Sequence, residues 1–123
     1  MAIDLTISLV HQPGTLAEAC DALGHAGVNI DGASGVVSEG RGVFHVLVED
    51  AERARRALID AGFEIQAERQ VALVPVENRP GEAARVLRRV AEAGVNVDLL
   101  YSTVSGRLVL CGDDISAIRR ALG

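Results

Sequence analysis

The chain has 123 residues, 49% hydrophobic but only 2% aromatic, and its 12 basic residues against 17 acidic ones give a formal charge of −5. That length suits one ordinary domain or two small ones around an aliphatic core, and the acidic balance disfavours nucleic acid or an anionic membrane as partner. No apolar run nears the roughly 18 residues of a membrane span, and the Asp4-containing start lacks the basic region of a signal peptide.

In chain order, Ile3 to Val10 is rich in β-formers and predicts a strand. Pro13-Gly14 ends it, with Pro13 expected at the first helical position, where its missing N–H is no loss. Leu16, Ala19, Cys20, Leu23 and Ala26 then follow the helical period and form the expected inner face. Gly27 suits the left-handed residue past a helix end, and Val28 the apolar residue that packs back on the last turn. Val28 to Val37 reads as a second strand, Glu39-Gly40-Arg41-Gly42 as a hairpin turn, and Val43 to Val48 as a third strand. Asp50 suits an N-cap for a helix from Ala51 to Ala61. Gly62-Phe63 repeats the capping pattern, and Phe63, Ile65 and Ala67 alternate as a fourth strand. The order β-α-β-β-α-β is the ferredoxin-like arrangement.

The chain then repeats itself at an offset of 67 residues: Pro80-Gly81 answers Pro13-Gly14, and Gly94-Val95-Asn96-Val97-Asp98 answers Gly27-Val28-Asn29-Ile30-Asp31. Val71 to Val76 is the expected first strand of this copy. Its helix has the expected inner face Ala83, Val86, Leu87 and Val90. Val95 to Ser105, the turn Gly106-Arg107, Leu108 to Cys111 and a final helix Ile115 to Leu122 capped by Asp114 follow. The expected fold is therefore α+β: two ferredoxin-like modules with antiparallel sheets, residues 1–69 and 70–123, the second lacking its last strand. Phe63 to Glu77 predicts one long strand or a barely bent pair. The first strand of the second copy, which contains Pro75, is left with one uncovered edge. A second chain or segment is expected to cover it. Cys20 and Cys111 sit on apolar-patterned segments and are expected as buried free thiols, which suits the cytoplasm.

Two loops join a first strand to a first helix, Val10-His11-Gln12-Pro13-Gly14-Thr15 and Glu77-Asn78-Arg79-Pro80-Gly81-Glu82. A helix start presents unpaired N–H groups that suit a carboxylate. Gly14 and Gly81 allow close approach, and His11 and Asn78 offer a polar side chain at equivalent places. Alone, a Pro-Gly pair is more often a turn; its recurrence brings the functional reading level with that one. Asn29 and Asn96 stand where a strand gains little from asparagine. They can serve the local turn, or supply a carboxamide that both donates to and accepts from an amino acid. Asp31 and Asp98 are expected to be solvated.

Pro-Gly-x-Leu, a helix, then Gly-Val-Asn-Ile in a β-α-β-β-α-β frame resembles the ACT domain, and the resemblance covers the chain as two tandem copies, with Ala83 where the leucine usually stands. It implies a regulatory module that binds amino acids or other small metabolites at interfaces between paired domains, without a cofactor. Carried over, it implies one site from His11, Gln12, Gly14, Thr15 and Leu16 with Asn96, and a second from Asn78, Gly81, Glu82 and Ala83 with Asn29. The pairing is left open between one chain and two, and Glu82 is a poor neighbour for a carboxylate. A homodimer, and an enzyme under its regulation, are the expected partners.

An enzyme is the less favoured reading: His11, His25 and His45 show no metal-ligand spacing, and neither cysteine has a predictable base. His25 is expected to be solvated or capping, and His45 satisfied locally. RNA recognition would need exposed aromatics, and the chain has Phe44, Phe63 and Tyr101 alone. The strongest rival is an assembly subunit that contacts a partner enzyme and binds nothing small. Arg53, Arg55 and Arg56 form the face that would dock an acidic partner, although a solvated face is the expectation.

Overall fold

The computed structural model describes residues 2–123. It divides between Arg69 and Gln70 into two compact units. In the first, β1 (Ile3–Val10), α1 (Thr15–His25), β2 (Gly32–Ser38), β3 (Arg41–Val48), α2 (Ala51–Asp60) and β4 (Glu64–Gln70) follow in order. Its sheet runs β2-β3-β1-β4, so the last strand lies beside the first. β3 pairs antiparallel with both β1 and β2. Alternate residues of two strands face the helices: Leu5, Ile7 and Leu9 from β1, with Phe44, Val46 and Val48 from β3. They pack against Ala19 and Leu23 of α1 and Ala54 and Leu58 of α2. The second unit holds β5 (Ala72–Pro75), α3 (Glu82–Glu92), β6 (Leu99–Ser102), β7 (Arg107–Cys111) and α4 (Ile115–Leu122). Its antiparallel sheet has three strands in the order β5-β7-β6. Val86, Val90 and Ile118 cover Ala72, Leu108 and Leu110 there.

Helix ends follow local chemistry. Asp50 accepts from the Arg53 N–H and Asp114 from the Ala117 N–H, both at 3.0 Å. At the other end of α1, the Val28 N–H donates to Leu23 O at 2.9 Å and the Gly27 N–H to Gly24 O at 3.0 Å, the paired closure that a left-handed glycine allows. The same two bonds recur at Gly62-Phe63 and Gly94-Val95. The β2–β3 hairpin turns on two residues, Glu39 (φ 52°) and Gly40 (φ 78°), rather than the four expected. Positive φ at both makes it a type I′ turn, whose twist matches the strands.

Four expectations need correction. Pro13 and Pro80 are not helical: the helices begin at Thr15 and Glu82, behind glycine caps at Gly14 (φ 94°, ψ −16°) and Gly81 (φ 90°, ψ −11°). The Thr15 N–H reaches Gln12 O and the Glu82 N–H reaches Arg79 O, each at 3.4 Å. With proline second and a positive-φ glycine third, these are type II turns. The second strands start at Gly32 and Leu99, not Val28 and Val95, so Asn29 and Asn96 lie in the connection before each strand, and β6 ends at Ser102. The apolar alternation there reflects packing without a ladder: Val28 and Ile30 contact the core before the first pair, Gly32↔Leu47, forms. Of the expected inner faces, Leu16, Cys20 and Ala83 are exposed, so one free thiol is buried (Cys111) and the other is not. Asp31 is half-buried and Asp98 exposed, and neither is without a partner. Of the two forms expected for Phe63 to Glu77 the pair is the one observed, with β4 and β5 parted at the buried Val71.

Candidate functional site

The site grows from one corner of the first unit's sheet. Cross-strand pairs put Ile7, Phe44 and Gly35 in one row on the helix-facing side, and Leu9, Gly42 and Val37 in the next. Ile7 and Phe44 lie within the core, whereas Val37 is 54% exposed. The helices thus cover the β1 end of this row, where Leu9 is buried, and leave its β2 end open. That open end and the β1–α1 loop enclose a cleft of about 670 Å³, within the usual range for small-molecule sites. Its lining takes in His11, Gln12, Pro13, Gly14, Thr15 and Leu16 from the loop and the start of α1. Val36 and Val43 also border it, although strand alternation turns their side chains to the other face of the sheet.

Gly35 and Gly42 give the cleft its depth. A Cβ at Gly35 would meet only Phe44 Cδ1, at 3.9 Å, while one at Gly42 would press to 3.2 Å from Leu9 Cβ. At the mouth, Thr15 Oγ1 lies 2.8 Å from Val10 O and 3.1 Å from Gln12 O, so its hydroxyl fastens the turn. No side chain caps α1. Its first N–H groups and the positive end of the helix dipole therefore border the cleft.

The sequence-expected residues divide accordingly. His11, Gln12, Gly14, Thr15 and Leu16 converge on the cleft. Asn29 is exposed and follows the far end of α1, outside the cleft lining. Asn78, Gly81 and Asn96 belong to the second unit, and all three are exposed. Sequence reasoning missed the strand residues Leu9, Gly35, Val36, Val37, Gly42 and Val43. Their signal was the apolar pair Val36-Val37 beside a tight turn, with a glycine on each strand.

The equivalent loop of the second unit is built differently. Glu82 occupies the place of Thr15, and its side chain is only 12% exposed. Its carboxylate accepts from Arg85 Nε at 3.1 Å and from the Glu77 N–H at 3.4 Å. The Arg85 hydrogen bond, aided by the Glu77 N–H and the charges of Arg85 and Arg79, outweighs desolvation and holds the Glu82 carboxyl below the ordinary carboxylate range.

Other titratable groups are accounted for by local structure. His45 Nδ1 lies 2.9 Å from Asp4 Oδ2, and Thr6 Oγ1 is 3.2 Å from both atoms. A relay of nucleophile, base and orienting acid uses both ring nitrogens, whereas here hydroxyl and carboxylate meet the same one. His25 Nδ1 sits 2.7 Å from Asp21 O at the end of α1. Partial desolvation at the otherwise exposed Cys20, and then the Asp21 charge, push its thiol up, which keeps it protonated and poorly nucleophilic at neutral pH. Arg53, Arg55 and Arg56 pair with Asp50, Glu68 and Glu52 on the surface. Among the described residues no group of three His, Cys, Asp or Glu side chains could hold a metal ion, and no helix is long and apolar enough to cross a membrane.

Residues 3–58 match the ACT domain. The ACT match includes the whole cleft lining and ends two residues short of the end of α2. Solved structures share the fold across the chain. A protein from Bacteroides thetaiotaomicron is 24% identical with a TM-score of 0.85, the match covering 98% of this chain and 85% of that one. The ligand-free regulatory subunit of aspartate kinase from Thermus thermophilus is 24% identical with a TM-score of 0.72, covering 98% and 89%. The corresponding subunit from Thermus flavus is 22% identical with a TM-score of 0.69, covering 98% and 90%. No curated protein matches the sequence.

Proposed function

We propose that the chain is an amino-acid-binding regulatory protein that senses its ligand at the β1–α1 loop of the ACT domain. The observation that carries this reading is the coincidence of an apolar cleft with an uncapped helix start inside the ACT match. The α1 N–H groups would take the ligand carboxylate, the type II turn at Gly14 would let it approach the backbone, and His11 and Gln12 would meet the polar backbone of the ligand. The division of the chain into two units that share the order β-α-β-β-α supports a second ACT-like module over residues 70–123, without the last strand. Asn29, Asn78, Gly81 and Asn96 would then be contact residues contributed on pairing. A homodimer acting on a partner enzyme in the cytoplasm completes the reading; the two unpaired cysteines suit a reducing compartment.

A thermal-shift screen against the twenty amino acids tests it. Stabilisation by one or a few, lost in His11→Ala and Gly14→Val, is the expected result. The rival reading, an assembly subunit without a small ligand, draws on β5, which pairs with β7 alone in its sheet and leaves an edge strand ending at Pro75. No shift with any amino acid would favour that rival.

A further inference from the structure

Among the described residues seven large hydrophobic side chains are prominently exposed, and four of them border this one cleft: Leu16 and Val37 on its helix-facing side, with Val10 and Val36 at its rim, where strand alternation turns them to the other face of the sheet. Scattered singly, exposed apolar residues need no explanation; gathered in a concave site they mark something apolar that binds there. The charge pattern agrees. No Asp, Glu, Lys or Arg lines the cleft, and His11 is its one titratable side chain. A ligand with a charged side chain would find no counter-ion in the lining. An acidic one would also face residues 1–69, which carry five arginines against eleven acidic groups. The Thr15 hydroxyl proton is committed to Val10 O and Gln12 O, so it is not free to donate to a ligand side chain.

We infer that the ligand's side chain is apolar and lies over the row Leu9–Gly42–Val37, with Gly35 and Gly42 giving it depth. This inference rests on the amino-acid reading of the same cleft and narrows it to neutral amino acids with hydrocarbon side chains. Buried hydrocarbon gains affinity with each methylene. In the homologous series alanine, 2-aminobutyrate, norvaline and norleucine, Kd therefore tightens about fourfold per added carbon until the row is covered.

The test is calorimetric titration of the full chain with that series and with lysine, glutamate, serine and glutamine. The expected result is a graded gain along the hydrocarbon series and no binding of the four polar members. Gly35→Val, whose side chain would enter the cleft where only Phe44 is near, abolishes binding while the ligand-free Tm is retained. Leu16→Ser, at a half-exposed position, weakens norleucine more than alanine, a length-dependent loss that general unfolding does not produce. If any of the four polar amino acids binds and the hydrocarbon series does not, the inference falls and the amino-acid reading stands. If none of the twenty binds, both fall. Undiminished binding by a folded Gly35→Val overturns the placement.

Discussion

Gly14 holds a backbone shape that other residues adopt at a cost. At φ 94° the penalty for an L side chain is conformational alone, because a Cβ there would have nothing within 4 Å. Gly14→Ala is therefore expected to lower stability by about 1 to 2 kcal/mol, read as a fall in the urea midpoint at constant m. Glu82 makes a different test at the matching loop. Its folded-state pKa is lowered, so its contribution is present above the ordinary carboxylate range and is lost as pH falls through the lowered value. Glu82→Gln should be less stable than the parent at neutral pH, and the two urea midpoints should converge in acid. A gap that persists in acid would assign Glu82 a steric role instead. Neither expectation was legible in residue type alone. A Pro-Gly pair fits a helix start and a type II turn equally well, and the φ of one glycine decides between them.

At the scale of elements, the caps were legible and the covered faces were not. A cap is settled by a few consecutive residues, so Asp50 and Asp114, and the glycines at 27, 62 and 94, stand where local rules put them. Asp50→Ala and Asp114→Ala should each cost about 1 kcal/mol, with faster amide exchange confined to the first turns of α2 and α4. A helical period fixes which residues share a face but not how far the opposing sheet reaches. Ala19 and Leu23 meet the sheet, and Leu23→Ala should cost about 2 to 5 kcal/mol by urea unfolding. Leu16 is one turn nearer the helix start, beyond the covered rows, and its apolar surface becomes part of the cleft. Strand starts failed for a related reason: alternation records burial, while a ladder needs a partner strand at the right register. Val28 and Ile30 have the burial without the ladder. The cleft itself was half visible. The loop residues announced themselves by repetition, whereas its walls come from strand positions brought together by the register Leu9↔Gly42↔Val37, which no local pattern encodes.

For the whole molecule, the sequence repeat gives two matching loops with unlike contents. Around the first there is a cleft and a helix start that no side chain caps; at the second, a carboxylate of the chain itself bonds the loop's N–H and two arginines flank it. Ligand at a hundredfold excess over Kd should stabilise the chain by about 2.7 kcal/mol, and titration should saturate at one molecule per chain. If that saturation is observed, the chain has one seat and no second seat of its own to couple it to. Its response to rising ligand is then hyperbolic, spread over roughly two decades of concentration, and any sharper threshold has to arise from chains acting on one another. Under the proposed function, then, a single filled cleft per chain would act as a dimmer rather than a switch.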